Sequence, residues 1–374
     1  MYFKNLPKPT NWPKYKLKIL NQAFFKKSVN NFYEITGLSK KEREFLTKNE
    51  RFTTLSPLKL HHDKKSKTYK MLFGLYDKNK IESVLMQFED GRNSICVSSQ
   101  VGCPIGCIFC ATGQMGFKRN LTTKEIVDQV LYFARLLKNY KAYISKPTDI
   151  SLGQIKDLTN VESQQPKVLS SKSTTQNSFH PQTITNVVYM GMGEPMLNYK
   201  NVIESIKILT NPNEFGLGAR RITISTCGII KQLYKLMDEK IKIKLAVSLH
   251  APTQKLREKI MPIAKTNSLK NLFKFIDEWQ RTNNRRVTYE YILIKDVNDG
   301  TAQALELANL LQKRIGHVNL IPMNTISNHP TLQKPNKNSI YRFERILKEN
   351  NIPVSIRVTM GDRIKAACGQ LATK

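Results

Sequence analysis

The stretch Cys96-Val-Ser-Ser-Gln-Val-Gly-Cys-Pro-Ile-Gly-Cys-Ile-Phe-Cys110 holds four of the six cysteines in this 374-residue chain. Its last three cysteines, Cys103, Cys107 and Cys110, follow a C-x3-C-x2-C spacing. Thiolates on one short loop can bind the same iron–sulfur cluster. Three protein ligands on a four-iron cluster leave one iron open, as catalytic zinc sites leave one position open. Gly106 lets this loop wrap tightly, because glycine tolerates a positive φ. The stretch therefore predicts a catalytic iron–sulfur site.

Two other interpretations of these cysteines remain open at this point. The three thiols could simply be buried structural residues. They could also form a zinc site with Cys96 as the fourth ligand, although zinc sites usually pair two C-x2-C knuckles.

The charge of the chain points to a polyanionic partner. Lys and Arg number 60 against 29 Asp and Glu, which gives a formal net charge of +31. Nucleic acid is the first candidate for such an excess. The alternative is a lysine-rich genome, which raises the charge without a function.

The cysteine usage and the apolar runs bound the cellular context. No run of 18 or more apolar residues predicts a membrane span, and residues 1–9 lack the apolar core of a signal peptide. Six cysteines, four of them clustered, argue against a secreted disulfide framework. We therefore expect a cytoplasmic protein without a membrane segment.

The N-terminal residues 1–67 are predicted to form a small basic helical accessory domain. Ser39 with Glu42 three residues later matches a capping box at the start of a helix. This domain could be a nucleic-acid clamp or simply a helical unit with solvated lysines. Residues 68–100 predict a connecting β meander whose last strand, Ser94–Ser99, runs into the cysteine loop.

The rest of the chain alternates strands with helices, which predicts parallel β/α units. Thr122 with Glu125 caps the first of these helices. The predicted strands are Asn186–Met192, Arg221–Ser225, Lys242–His250, Arg286–Ile294, His317–Met323 and Pro353–Thr359. Six such units predict an α/β fold, a partial (β/α)6 barrel over 68–374, with its site at the carboxyl ends of the strands. A polar surface insertion is expected at 141–183 and a C-terminal cysteine loop at 360–374.

Polar residues stand at the ends of the predicted strands, where hydroxyl groups and a backbone edge suit a ribose and a carboxylate. Gly191-Met-Gly193-Glu194-Pro supplies a carboxylate for a cationic amino group, although by itself this motif could simply be a turn. Ser225 and Ser248 end the next two strands, and His250 by itself is by default a structural histidine. The cysteine spacing, with Phe109 before the last cysteine, resembles the radical S-adenosylmethionine (radical SAM) signature.

The C-terminal stretch Gly361-Asp-Arg-Ile-Lys-Ala-Ala-Cys368-Gly-Gln-Leu371 narrows the resemblance. Together with Cys96, the three-cysteine loop and Gly-Met-Gly-Glu-Pro, it resembles the RlmN/Cfr family of radical SAM RNA methyltransferases. The resemblance runs from about Trp12 to Leu371, apart from 141–183. It implies a radical SAM partial barrel and a SAM-dependent RNA methyltransferase.

The resemblance also implies a role for each matching residue. Cys103, Cys107 and Cys110 would hold a 4Fe–4S cluster. Cys368 would carry a methyl group from one SAM, and a radical from a second SAM would take a hydrogen from that methyl group. Cys96 would then close a transient disulfide with Cys368, with Glu82 as the proton acceptor. The family's SAM-contact positions correspond to Gly193, Glu194, Ser225, Ser248, Leu249, His250 and Asn324.

The implied substrates are adenine 2503 of 23S ribosomal RNA and adenine 37 of transfer RNA, methylated at carbon 2. A resistance-conferring branch of the family methylates carbon 8 of the same ribosomal adenine, and this alternative stays open. The resemblance implies two SAM molecules per turnover and an electron donor of flavodoxin or ferredoxin type. We expect a monomer.

The sequence departs from the family's pattern at two places, and it leaves rival functions open. Asn324 stands in Ile-Pro-Met-Asn-Thr, where relatives have Trp-Asn-Pro, and Arg363 stands where relatives carry an aspartate. The rivals are a radical SAM enzyme on a small molecule or peptide, a zinc-bearing RNA-binding module, and a degenerate relative that only binds RNA.

Overall fold

The computed structural model of the protein describes residues 2–3, 12–138, 183–326, 331–358 and 360–373. Apart from residue 183, the expected insertion at 141–183 lies outside these ranges, so its character stays a prediction.

A ten-stranded mixed sheet forms the centre of the molecule. Its strands, in chain order, are β1 Ser56–Asp63, β2 Thr68–Gly74, β3 Lys80–Gln87, β4 Asn93–Cys96, β7 Asn186–Tyr189, β8 Ile222–Thr226, β9 Lys244–Ser248, β10 Val287–Leu293, β11 Gly316–Pro322 and β12 Val354–Ile356. Neighbours in the sheet follow the chain order. Strands β1 to β4 pair antiparallel, and every later pair is parallel.

Helices connect the parallel strands. The α-helices are α1 Lys14–Asn21, α2 Lys40–Asn49, α3 Ala111–Gln114, α4 Thr123–Lys138, α5 Tyr199–Thr210, α6 Ile230–Asp238, α7 Gln254–Ile260, α8 Leu269–Asn283, α9 Thr301–Leu311 and α10 Lys337–Glu349. Six β/α units run from β4 to α10 and β12 follows them. The described sheet is open, with β1 and β12 at its edges, so the predicted partial (β/α)6 barrel is confirmed.

Both predicted capping boxes are present. The Ser39 hydroxyl accepts from Glu42 N at 3.4 Å, and the Glu42 carboxylate accepts from Ser39 N at 2.9 Å. Thr122 and Glu125 make the same reciprocal pair at 3.2 and 2.8 Å. Each box satisfies amide groups that a helix start leaves without partners, which is why these two starts can be read from the sequence.

Some short elements differ from the prediction. Strand β1 lies within residues 1–67 and pairs with β2 through a register shift between Pro57 and Lys59. The sheet therefore begins earlier in the chain than expected, because an edge strand tolerates proline and polar residues that hide its alternation. The division into an accessory domain and a core stays a prediction.

A two-stranded sheet, β5 Gln100–Gly102 and β6 Phe117–Asn120, carries the cysteine loop. Gly102 has φ +74°, and a Cβ there would lie 1.8 Å from Gly116 O. The same carbonyl accepts from Cys103 N at 2.9 Å. Only glycine fits at Gly102. The close crossing of β5 and β6 at this residue therefore fixes where the cysteine loop starts.

The N-terminal segment packs onto the core through aromatic side chains. Tyr2, Phe3, Phe24 and Phe25 are buried and contact one another, and the Tyr2 hydroxyl donates to the Asp128 carboxylate on α4. Across the ranges that the structure describes, no helix combines the length and the apolar character needed to span a membrane.

Candidate active site

Most of the predicted site residues line one cavity at the carboxyl ends of the parallel strands. This small cavity of about 160 Å³ lies where the chain leaves β7, β8 and β9. Its lining includes these predicted residues: Cys103, Cys107, Cys110, Gly193, Glu194, Ser225, Ser248, His250 and Cys368. We call it the cofactor cavity.

A second, larger cavity of about 950 Å³ adjoins the first. Cys110, Cys368, Met190, Gly191 and Arg357 line both of them. The larger cavity also reaches Cys96 and Asn324, and we call it the substrate cavity. Leu249 lines neither, although its backbone N donates to Glu290 O at 3.0 Å beside Ser248.

The cysteine loop is closed by backbone hydrogen bonds. Cys110 N donates to Cys107 O at 3.2 Å, and Ala111 N donates to Gly369 O at 2.7 Å. The second bond joins the cysteine loop directly to the C-terminal loop. It places Gly369, the residue after Cys368, against Ala111, the residue after the C-x3-C-x2-C motif.

The three thiols are mostly withdrawn from water. Burial raises the pKa of Cys103 to about 12, and it also raises the pKa values of Cys107 and Cys110. Buried thiols with raised pKa values lose their protons when a metal centre supplies the compensating charge. No three His, Cys, Asp or Glu side chains in the described ranges come together as ligands of a single metal ion. A four-iron cluster does not require the three thiolates to meet at one ion, because each thiolate binds a different iron. The three cysteines therefore fit such a cluster.

Glu194 forms another wall of the cofactor cavity. Its carboxylate accepts from Cys227 N at 2.8 Å and from Met196 N at 3.0 Å. Burial raises the pKa of this carboxyl, and no lysine, arginine or histidine in the described ranges forms an ion pair with it. A ligand's cationic amino group would complete this site, so the residues fit SAM. Gly193, at φ +97°, turns the backbone into the cavity.

His250 is held in the neutral form. Burial lowers its pKa to about 3, and its Nδ1 accepts from Ile292 N at 3.0 Å. Its ring meets Phe109 edge to face, with 4.7 Å between the ring centroids. His250 therefore braces the cysteine loop while it lines the cavity.

Arg257 organises two strand ends and was not predicted. It is fully buried in α7, and its guanidinium donates to Cys227 O at 2.6 Å, to Ser248 O at 3.1 Å and to Leu249 O at 3.2 Å. No motif marks it in the sequence. These bonds satisfy carbonyl groups that the ends of β8 and β9 leave without strand partners.

Arg357 lies beside both Cys96 and Cys368, and the sequence does not reveal this cation. Both cysteines are free and line the substrate cavity with Arg357. Burial raises the pKa of Cys96 to about 12, with Cys368 adding to the rise and Arg357 opposing it. Cys368 is the largest cause of the raised pKa of Arg357. Asn324 fixes the loop by donating to Cys368 O at 3.0 Å.

Glu82 is not among the residues that line either cavity. It lies buried in β3, where its carboxylate pairs with Lys70 Nζ at 2.8 Å and accepts from Ala372 N at 2.9 Å. Burial raises the pKa of Glu82 and Lys70 partly offsets the rise. The C-terminal segment therefore covers this carboxylate in the described structure.

A comparison with protein families gives the class of protein. The family described as the radical SAM superfamily matches residues 177–308, a range that contains Glu194, Ser225, Ser248 and His250. The fold and the cofactor cavity agree with this match, and the protein is a radical SAM enzyme.

Relatives along nearly the whole chain give the family. A probable dual-specificity RNA methyltransferase RlmN of Thermotoga neapolitana is 42% identical over 96% of this chain and 90% of its own length. A ribosomal RNA large subunit methyltransferase N of Nitrosopumilus maritimus is 40% identical over 93% of this chain and 89% of its own length. The solved structure of a radical SAM methyltransferase from Sphaerobacter thermophilus has a TM-score of 0.83 and 36% identity, covering 97% of this chain and 94% of that one. The chain belongs to the RlmN family of radical SAM RNA methyltransferases.

This membership confirms the predicted resemblance and the predicted class of enzyme. The family implies SAM and a 4Fe–4S cluster as cofactors, and the donor set of the cofactor cavity fits both groups.

Proposed function

We propose that the protein methylates carbon 2 of adenine in RNA and uses Cys368 as the carrier of the methyl group. The observation that carries the proposal is the shared position of Cys96 and Cys368 on the substrate cavity, beside the three-cysteine loop. The name of the Nitrosopumilus relative supports the large-subunit ribosomal RNA as substrate. The dual specificity in other relatives' names supports a second RNA. We assign adenine 2503 of 23S ribosomal RNA and adenine 37 of transfer RNA.

The cofactor roles follow from the donor types. Cys103, Cys107 and Cys110 would bind the cluster, and Glu194 would bind the amino group of SAM. The remaining proposed SAM contacts are Gly193, Ser225, Ser248, Leu249, His250 and Asn324. A reduced cluster held by these cysteines would supply the electron that cleaves SAM to a 5′-deoxyadenosyl radical.

A covalent carrier solves a chemical problem at carbon 2. This carbon is electron-poor and does not attack the methyl group of SAM. A covalent route divides the inaccessible step into feasible ones, while the cofactor supplies the radical and the protein positions it. The reaction therefore uses two SAM molecules per turnover, one to methylate Cys368 and one to activate the methyl group.

The transfer of the methyl carbon uses both Cys368 and Cys96. The methyl group on Cys368 loses a hydrogen atom and its carbon bonds to carbon 2 of adenine. Loss of the carbon-2 proton, with one electron passing back to the redox centre that would have supplied it for SAM cleavage, restores the aromatic ring. The Cys96 sulfur then attacks the Cys368 sulfur, so that an S–S bond forms, the carbon–sulfur bond breaks, and the released carbon takes up a proton. We assign Glu82 as the acceptor of the carbon-2 proton, which requires the segment around Ala372 to uncover it.

The target adenine must leave its stack to reach these residues. Enzymes that act on a base extrude it into a pocket, and looped or single-stranded RNA lowers that cost. The substrate cavity, at about 950 Å³, has the size of a ligand pocket. We also propose a flavodoxin- or ferredoxin-type donor, a monomer, and the cytoplasm, where reducing conditions keep the thiols free.

The test is an anaerobic reaction of the cluster-loaded full chain with SAM, reductant and unmodified 23S or transfer RNA. The RNA is digested to nucleosides, and the methyladenosine isomers are identified by mass spectrometry. We expect 2-methyladenosine from the wild type and none from Cys368→Ala. Cys227→Ala is the matched control, since Cys227 lines the cofactor cavity but not the substrate cavity.

Each other outcome overturns a stated part of the proposal. 8-Methyladenosine would keep the carrier and move the protein to the carbon-8 branch. No methyladenosine from a wild-type protein that still cleaves SAM would refute the RNA assignment. Product from Cys368→Ala would refute the carrier.

A further inference from the structure

A third cavity lies at the opposite end of the parallel strands from the cysteine loop. It has a volume of about 750 Å³. Asn186 and Lys244, the first residues of β7 and β9, line it, and so does Arg286 just before β10. We call it the amino-end basin. The mechanism proposed above does not use it.

The basin is much more cationic than the rest of the protein. Its walls contain one carboxylate, Glu290, against six cations: Arg92, Arg220, Lys244, Arg285, Arg286 and Arg357. The whole chain has 60 Lys and Arg for 29 Asp and Glu, about two cations for each carboxylate. The excess in the basin therefore exceeds what the overall composition supplies.

Four of these cations have no acidic partner in the described structure. Glu290 lies 3.7 Å from Arg357, and Asp90 pairs with Arg92 at 2.7 Å. Within the described parts of the chain, no carboxylate lies within 4.0 Å of the other four basin cations, which are Arg220, Lys244, Arg285 and Arg286. Unpaired like charges that share a cavity repel one another, and a bound anion removes that cost.

Neighbouring cations act on Lys244. Partial desolvation of this exposed lysine lowers its pKa, and the nearby Arg286, Arg221 and Arg92 lower it further. One of the cations is held by the backbone, since the Arg285 guanidinium donates to Ile243 O at 3.2 Å. This arrangement suits an anion that several cations bind together.

The basin opens into the substrate cavity. Met86, Phe88, Arg92, Met190 and Arg357 line both spaces. An RNA strand with its adenine in the substrate cavity would therefore have the basin's cations next to it.

We infer that the amino-end basin binds backbone phosphates of the substrate RNA on one side of the target adenine. The inference rests on the proposed RNA methyltransferase function and adds a place for the flanking strand. Phosphate contacts fix the register of a strand without reading its sequence. The remaining polar lining suits ribose and phosphate oxygens; it includes Asn186, Asn283, Asn284 and Asn319.

The test is the salt dependence of RNA binding by the full chain. Lys244→Gln/Arg286→Gln removes two basin cations, and both residues are exposed. The probe is an unmodified transfer RNA anticodon hairpin, followed by fluorescence anisotropy over a salt series. The plot of log K against log[salt] has a negative slope, and removing one phosphate contact reduces its magnitude by about 0.7 on single strands. For two contacts we expect a decrease of about 1.4 in this magnitude, together with a higher KM for RNA.

Lys231→Gln/Lys235→Gln is the matched control. It removes the same charge from exposed positions on α6, and neither residue lines the basin. We expect this variant to keep the wild-type slope. Thermal midpoints of both variants report whether folding changed, and a folding defect alone would not reduce the magnitude of the salt slope.

Two results would overturn the inference. One is a wild-type slope and KM in the basin variant. The other is a higher thermal midpoint of the wild type in inorganic phosphate or a mononucleotide, together with unchanged RNA binding in the basin variant. That result would make the basin a small-anion site. Failure of the proposed function has a different signature, because the wild type itself would then make no methyladenosine.

Discussion

Gly102 and Gly116 allow a matched test of what holds the cysteine loop. Both have positive φ, +74° and +72°, so alanine at either position costs about 1–2 kcal/mol for the left-handed backbone. Only at Gly102 does the new Cβ collide, lying 1.8 Å from Gly116 O, whereas at Gly116 nothing lies within 4 Å. The atom that this Cβ meets belongs to the backbone, so the strands must move apart.

The size of the difference follows from the separation of the two strands. This movement breaks the hydrogen bond from Cys103 N to Gly116 O, which contributes about 1 kcal/mol. Overpacking adds about 1–3 kcal/mol. The sum of these two effects predicts that Gly102→Ala lowers the unfolding free energy by about 2–4 kcal/mol more than Gly116→Ala does.

Urea unfolding of the cluster-free protein measures both variants, and iron content after reconstitution measures the loop. Gly116→Ala should keep wild-type iron, while Gly102→Ala should bind less, because Cys103 leaves its position. Equal unfolding free energies and equal iron contents would refute the reasoning, since they would mean that the crossing of β5 and β6 does not position the loop.

Three further predictions concern buried groups. Lys70→Met should raise the pKa of Glu82 further above the ordinary pKa of a glutamate. The free energy of unfolding should then fall more steeply than in the wild type as pH rises from that ordinary pKa to the raised pKa. Urea unfolding at a series of pH values measures this, and an unchanged pH profile would count against the ion pair. Glu194→Gln should weaken SAM binding by about 1.5–3 kcal/mol, the contribution of a charged hydrogen bond, with iron content retained; equilibrium dialysis with labelled SAM checks it, and wild-type affinity would exclude the amino contact. Arg257→Met should lower stability by at least about 2 kcal/mol, because it leaves buried carbonyl groups such as Ser248 O without partners; thermal unfolding measures the loss, and a near-neutral change would show that water replaces the guanidinium.

Local patterns made much of the fold predictable. The capping boxes at Ser39 and Thr122 depend on side chains three residues apart, and strand–helix alternation depends on neighbouring residues. The three-cysteine spacing and the Ala-Ala-Cys-Gly stretch at Cys368 are also local, and they were enough to identify the family. Strand β1 was missed because Pro57 and its polar neighbours obscure the two-residue period.

Interactions between distant segments were not predictable. Arg257 and Arg357 look like any other arginine in the sequence, and only the folded chain brings one to two strand ends and the other to Cys96 and Cys368. The role of Glu82 stays a prediction, and the sequence does not reveal its two partners, Lys70 and Ala372, the latter 290 positions away. The amino-end basin likewise gathers cations from five separate segments.

The central claim is that the transferred methyl group passes through Cys368. The most direct measurement loads Cys368 with a ¹³C-labelled methyl group, removes the labelled SAM, and starts a single turnover with unlabelled SAM and RNA. Mass spectrometry then compares the nucleosides. The proposed mechanism predicts that the first equivalent of methyladenosine carries the label and that Cys368 loses it. Unlabelled methyladenosine formed while the label stays on Cys368 would contradict it.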